Sequence, residues 1–168
     1  MAGSPHAALT AERERERERL LGCRKLSLVV DLDNTIVHTI VVRTDDERMA
    51  RMQDHNHGST TFTGSCRPGL RAFLQTISEK YEPTVYTMGT RGYAEKVCAA
   101  VDGDERVFGG RIFSRDENEG NSTKSLSRLF PPCDKSMTAI IDDSRKVWED
   151  KKNIVSVQPY VFFGDCDS

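Results

Sequence analysis

From residue 26 onward, short apolar runs alternate with segments whose apolar positions recur at helical spacing. Leu26-Ser27-Leu28-Val29-Val30 is β-branched and stops at Asp31, the pattern of a buried strand. Pro68 opens a helical stretch with Leu70, Phe73, Leu74 and Ile77 on one face. Pro83 to Thr87 reads as a second strand, followed by a helix over Tyr93 to Val101 with Tyr93, Ala94, Val97 and Val101 on its apolar face. Arg111 to Ser114 reads as a short strand, and Lys124 to Phe130 as a short helix closed by Pro131-Pro132. Thr138 to Ile141 is a strand that halts at Asp142-Asp143, and Ile154 to Val157 is a last strand. Residues 43–65 are polar and read as a flap, to which Ile36 to Val42 adds a strand. Residues 1–11 read as a loose end. Glu12 to Arg19 alternates Glu and Arg, which on a helix puts opposite charges three apart but like charges four apart, a solvated and frayed helix.

Strand and helix in alternation predict an α/β domain, with a mainly parallel sheet flanked by helices and a small inserted flap. The domain is expected over residues 25–168, behind a polar, charged extension over 1–24. In such folds ligands bind beyond the carboxyl ends of the strands. Three apolar runs end in chemically capable residues: Asp31 and Asp33, then Thr87, then Asp142 and Asp143. One run ending in Asp would be ordinary, whereas three converging on one sheet edge would build a site.

Composition narrows the chemistry. A length of 168 residues fits one domain, and a net charge of −2 offers no broad basic surface for nucleic acid. No apolar run approaches the length of a membrane span, and the N-terminus lacks a basic-then-apolar signal pattern, so an intracellular protein is expected. The five cysteines include no C-x-x-C pair, which argues against structural zinc and fits reduced thiols. A cysteine nucleophile of the tyrosine-phosphatase type needs an Arg six residues on; Ala72 follows Cys66 at that distance and Asp104 follows Cys98.

Two carboxylates as close as Asp31 and Asp33 repel unless a proton or cation separates them, and Mg²⁺ takes oxygen ligands while sharing its shell with phosphate. With Asp142 and Asp143 the set suits phosphoryl transfer, where positioning and charge neutralisation carry the reaction. Asp31 would attack phosphorus and Asp33 would protonate the leaving oxygen, then take a proton from water. Lys124 and Thr87 are the candidates to hold phosphate oxygens. An EF-hand loop is the competing explanation for D-x-D; it fails because Ile36 replaces the sixth-position Gly and Val42 the twelfth-position Glu.

Asp31-Leu32-Asp33-Asn34-Thr35 resembles the first motif of haloacid-dehalogenase-like phosphatases. The segments SLVVDLDNTIVHT, RPGL, VYTMGTRGYAEKVC, RIFSRDE, KSLSRLFP, SMTAIIDDS, VW and NIVSVQPYVFF resemble, over about residues 25–163, the catalytic domain of transcription-factor-IIF-associating phosphatases. These act on the C-terminal repeat domain of RNA polymerase II. The resemblance implies a Rossmann-type sheet, a nuclear phosphoserine/phosphothreonine phosphatase using Mg²⁺, the phosphorylated polymerase tail as substrate and transcription factor IIF as a partner. It implies that Asp31 is nucleophile and metal ligand, and that Asp33 is acid/base with its backbone carbonyl on the metal. Thr87 and Lys124 would hold phosphate, Asp142 and Asp143 would complete the metal site, Thr35 and Arg67 would stand on the substrate side, and Asp102 would support the site. Longer members of this branch continue past the PYVFF-like segment, whereas this chain stops at Ser168, as a fragment, a truncated gene model or a reduced relative would. Two rival functions are a small-metabolite phosphatase of the same superfamily and a phosphopeptide-binding module without turnover.

Overall fold

In the computed structural model, which describes residues 5–42 and 61–163, the central strand is β1, Leu26–Val30. It pairs in parallel with β4, Tyr81–Tyr86, on one side and with β6, Thr138–Asp142, on the other. β5, Ile112–Phe113, and β7, Ile154–Ser156, extend the sheet outward in the order β5-β4-β1-β6-β7, every pairing parallel. The three strands expected to end in reactive residues are therefore the three central ones, and their carboxyl ends lie side by side.

Covered on both faces, β1 is apolar and buried on successive positions from Leu28 to Val30, whose side chains alternate between the two layers. Leu28 and Val30 face one layer, packing with Val85 against Leu70 and Leu74 of α2, Leu70–Ser78, and against Ala94 and Val97 of α3, Arg91–Val101. Val29 faces the other layer with Tyr86, Phe113, Leu126, Ile140 and Trp148. The members of this second cluster that lie outside the sheet, Leu126, Leu129 and Trp148, come from loops and single 3-10 turns. Each fully buried aliphatic side chain contributes about 1.5–3 kcal/mol.

Several local expectations need correction. Residues read as a loose end are helical from Pro5, and α1 runs Pro5–Gly22. It is held by tertiary contacts: Leu20 is buried, Arg17 pairs with Asp134, and Arg19 bridges Glu16 at 2.6 Å and Glu82 at 2.5 Å. The far end of the polar flap is β3, Thr61–Cys66, antiparallel to β2, Val37–Val42; residues 43–60 of the flap lie outside the described residues. Pro68 and Gly69 form a turn, Gly69 with φ 79°, so that α2 starts only at Leu70 and Phe73 is exposed. The helix expected from Lys124 to Phe130 is one 3-10 turn, Leu126–Arg128, because Lys124 itself is engaged in a bridge to Trp148.

Candidate active site

Asp31 leaves β1 with its N–H still bonded to the Ile141 carbonyl at 3.0 Å, so the sheet fixes its backbone. Its side chain is buried and both oxygens are taken. Lys124 Nζ donates to Oδ1 at 2.6 Å and the Thr35 hydroxyl to Oδ2 at 2.9 Å. Lys124 also donates to Asp142 Oδ2 at 2.8 Å, and the same oxygen accepts the Trp148 Nε1–H at 2.7 Å. The Ser144 N–H holds Asp142 Oδ1 at 2.7 Å. Thr35 Oγ1 accepts the Asp143 N–H at 3.1 Å and lies 3.2 Å from Asp143 Oδ1. Side chains from the end of β6 and from the loops that follow β1, β5 and β6 thus share one hydrogen-bonded cluster.

A buried lysine needs a reason to stay charged. Its desolvation works against the charge, but Asp31 and Asp142 outweigh it, and the net shift of Lys124 is upward. The rings of Tyr86 and Trp148 flank the ammonium at 5.8 and 5.5 Å. The backbone is clamped too: Lys124 N–H donates to the Val147 carbonyl at 2.7 Å and its carbonyl accepts Glu149 N–H at 3.0 Å. Asn118, buried, ties the approach loop by donating to the Asn121 and Thr123 carbonyls at 2.9 and 3.1 Å and accepting from Tyr86 Oη at 2.6 Å. For Asp31 burial dominates, with repulsion from Asp142 acting in the same direction against the pull of Lys124, and the carboxyl is pushed up to about 7.

Asp31, Asp142 and Asp143 each offer a carboxylate oxygen within 4.8 Å of the others. Three carboxylates against one ammonium leave an excess of negative charge in a mostly buried space, and all the donors are oxygens. That donor set fits a hard divalent cation such as Mg²⁺. The Asp33 side chain is turned elsewhere. Its Oδ1 accepts from the Tyr93 hydroxyl, with the Thr39 hydroxyl 3.1 Å away. Burial, followed by the Asp33 contact, raises the Tyr93 phenol above its ordinary value and keeps it a donor.

The remaining expected residues are dispersed. Thr87 is buried one residue beyond β4, its hydroxyl accepting the Gly89 N–H at 3.0 Å; among the described residues no hydrogen bond joins it to Asp31 or Lys124. Arg67 donates to the Gln158 carbonyl and lies 5.6 Å from the Tyr160 ring centre. Asp102 caps a loop, accepting from Val107 and Phe108 N–H at 3.0 and 2.8 Å, and lines a groove of about 790 Å³ that contains none of the clustered acids. Sequence reasoning gave no role to Trp148, Tyr86 or the Tyr93 hydroxyl. The signal available was their place in the segments VW and VYTMGTRGY, next to or shortly after a motif residue.

Residues 26–168 match the family model described as NLI interacting factor-like phosphatase. The chain belongs to that family. Within the NLI interacting factor-like phosphatases it is similar to an RNA polymerase II C-terminal domain phosphatase of Schizosaccharomyces pombe, 42% identical over 172 residues that cover 90% of this chain and 24% of the relative. The protein of the same name from Homo sapiens is 35% identical, covering 88% of this chain and 16% of its own length. A solved structure of Fcp1, described as an essential RNA polymerase II CTD phosphatase, superposes with a TM-score of 0.76 at 38% identity, covering 91% of this chain and 47% of that one. The chain thus spans about a quarter or less of these two curated relatives. For this family member the haloacid-dehalogenase-like α/β fold expected from the sequence is the fold observed.

Proposed function

We propose that this domain is a Mg²⁺-dependent protein serine/threonine phosphatase that acts on the phosphorylated C-terminal repeat domain of RNA polymerase II, in the nucleus, through a phospho-aspartate on Asp31. The observation that carries the reading is the buried Asp31–Lys124–Asp142 cluster, in a domain whose relatives bear the name of that phosphatase over 88–90% of this chain.

Asp31 is the nucleophile because it is the carboxylate fixed at the end of the central strand, with Lys124 and Thr35 setting its orientation. An Asp31 oxygen bonds to phosphorus as the bond from phosphorus to the serine oxygen breaks. Asp33 gives its proton to that departing oxygen, then takes one from the water that attacks the acyl phosphate, so phosphate leaves and both carboxyls are restored. Lys124 balances the negative charge gathered on the phosphoryl oxygens. The Thr87 hydroxyl supplies a further donor to them. Asp31, Asp142 and Asp143, with the Asp33 carbonyl, would hold the Mg²⁺, whose charge would allow an anionic phosphate to approach three carboxylates.

The test is phosphate release from a phosphoserine repeat peptide with Mg²⁺, beside a sugar phosphate, an EDTA control and Asp31→Asn. Release from the peptide that both controls abolish supports the reading. Faster turnover of the sugar phosphate favours a metabolite enzyme, and peptide binding without release favours a recognition module.

A further inference from the structure

We infer that Asn34 and Tyr160 are positioning residues that hold the catalytic loop from outside, an inference that rests on the phosphatase reading and concerns how its site is kept in place. Residues 157–163 follow β7 as an irregular strap, and Tyr160 N–H donates to the Asn34 carbonyl at 2.6 Å. Asn34 Nδ2 donates back to the Tyr160 carbonyl at 3.0 Å. Asn34 stands between Asp33 and Thr35 with φ 58°, the left-handed region that Asn enters more readily than most side chains. Its own N–H is engaged by the Val37 carbonyl at 2.8 Å, and Thr35, Ile36 and Val37 N–H all return to the Leu32 carbonyl. The loop carrying both candidate catalytic acids is thus a tight turn, and the strap grips its apex residue at both carbonyl and side chain.

The strap is fixed at its other end as well. Tyr160 Oη donates to the Cys66 carbonyl at 3.0 Å, at the end of β3. His38 Nδ1, on β2, lies within 3.0 and 3.2 Å of the Phe162 and Phe163 N–H groups. The strap therefore joins the turn to the base of the β2–β3 hairpin. The reciprocal pair with Asn34 adds a restraint on the one residue that separates Thr35, which touches Asp31, from Asp33. Phosphoryl transfer is sensitive to such placement, because positioning supplies much of its catalysis.

The experiment uses the full chain with two variants. Asn34→Gly keeps the left-handed turn and deletes the side-chain donor. Asn34→Asp keeps the shape and replaces the donor with an acceptor that faces the Tyr160 carbonyl. The lost N–H is what the two have in common. Turnover of an aryl phosphate at saturating Mg²⁺ is measured with amide hydrogen exchange of the metal-free protein, beside wild type and Asp31→Asn. Both variants should lower kcat about tenfold while KM stays within about twofold. Exchange at residues 34–37 should quicken about tenfold while that at residues 28–30 in β1 is unchanged. Wild-type kcat and wild-type exchange at 34–37 in both variants would overturn the inference, as would a kcat loss that only tracks the fraction unfolded. Should the wild type itself show no Asp31-dependent turnover, the phosphatase reading fails, and the exchange measurement still decides whether the strap holds the turn.

Discussion

Asp31 and Asp33 stand two residues apart and live in opposite surroundings. Asp31 is buried, with a charged partner on one oxygen and a hydroxyl on the other. Asp33 is half-buried and its Oδ1 meets two neutral hydroxyls, from Tyr93 and Thr39. The contrast follows the strand end. Asp31 continues the register of β1 toward the layer that holds Lys124 and Trp148, whereas Asp33 lies in the turn and meets the start of α3 and the hairpin. A nucleophile must keep one orientation as charge develops beside it, and a fixed ammonium provides that. An acid/base must gain and lose a proton, and hydroxyls can hold it in either state.

The contrast can be broken at several points, beginning with the largest effect. Asp31→Asn should lower kcat at least about 10⁴-fold with the fold intact, measured by phosphate release and circular dichroism. Lys124→Ala leaves Asp31 and Asp142 buried without their cation and should cost about 3–5 kcal/mol in urea unfolding, where the exposed pair Arg106–Asp104 should give under about 1 kcal/mol on the same treatment. Asp33→Asn should lower kcat about 10²–10³-fold on phosphoserine and much less on p-nitrophenyl phosphate, whose leaving group needs no proton. A loss of equal size on both substrates would remove Asp33 from the acid role. Tyr93→Phe sharpens the comparison from the other side, with an expected kcat loss of about tenfold and little change in melting temperature.

The smallest effect concerns pH. Burial raises the folded Asp31 carboxyl to about 7, above its unfolded value of roughly 3.9. Between those values the folded state binds the extra proton, so this contribution to stability is complete at low pH and is lost as pH rises through about 7. In EDTA, the melting temperature of the wild type should therefore fall from pH 4 toward pH 7 more steeply than that of Asp31→Asn. Parallel curves would mean that Asp31 is ionised throughout.

The parts of this site that the sequence revealed were local. Leu26–Val30, Pro83–Tyr86 and Thr138–Ile141 could be read because central parallel strands are apolar on both faces and each stops at a polar residue. β3 was illegible because TFTGSC is small and polar, as an outlying hairpin strand can be. The start of α1 was missed because Pro5 to Ala11 is exposed and carries no apolar stripe, while the contacts that hold the helix, through Leu20, Arg17 and Arg19, lie at its other end and reach partners distant in sequence. The motif spacing placed Asp31, Asp142 and Asp143 together. It could not disclose that Trp148 steadies Asp142, that Tyr93 turns Asp33 aside or that Arg67 grips Gln158, since those contacts depend on loop paths that no short-range pattern encodes.

The central claim is that a phosphoryl group passes through Asp31. The most direct measurement is rapid acid quenching of the domain during turnover of a phosphoserine repeat peptide with Mg²⁺, followed by peptide mass spectrometry. One acid-stable, hydroxylamine-labile phosphoryl group is expected on the peptide containing Asp31, and none in Asp31→Asn. Steady phosphate release with no such adduct, or with the adduct on another residue, would contradict it.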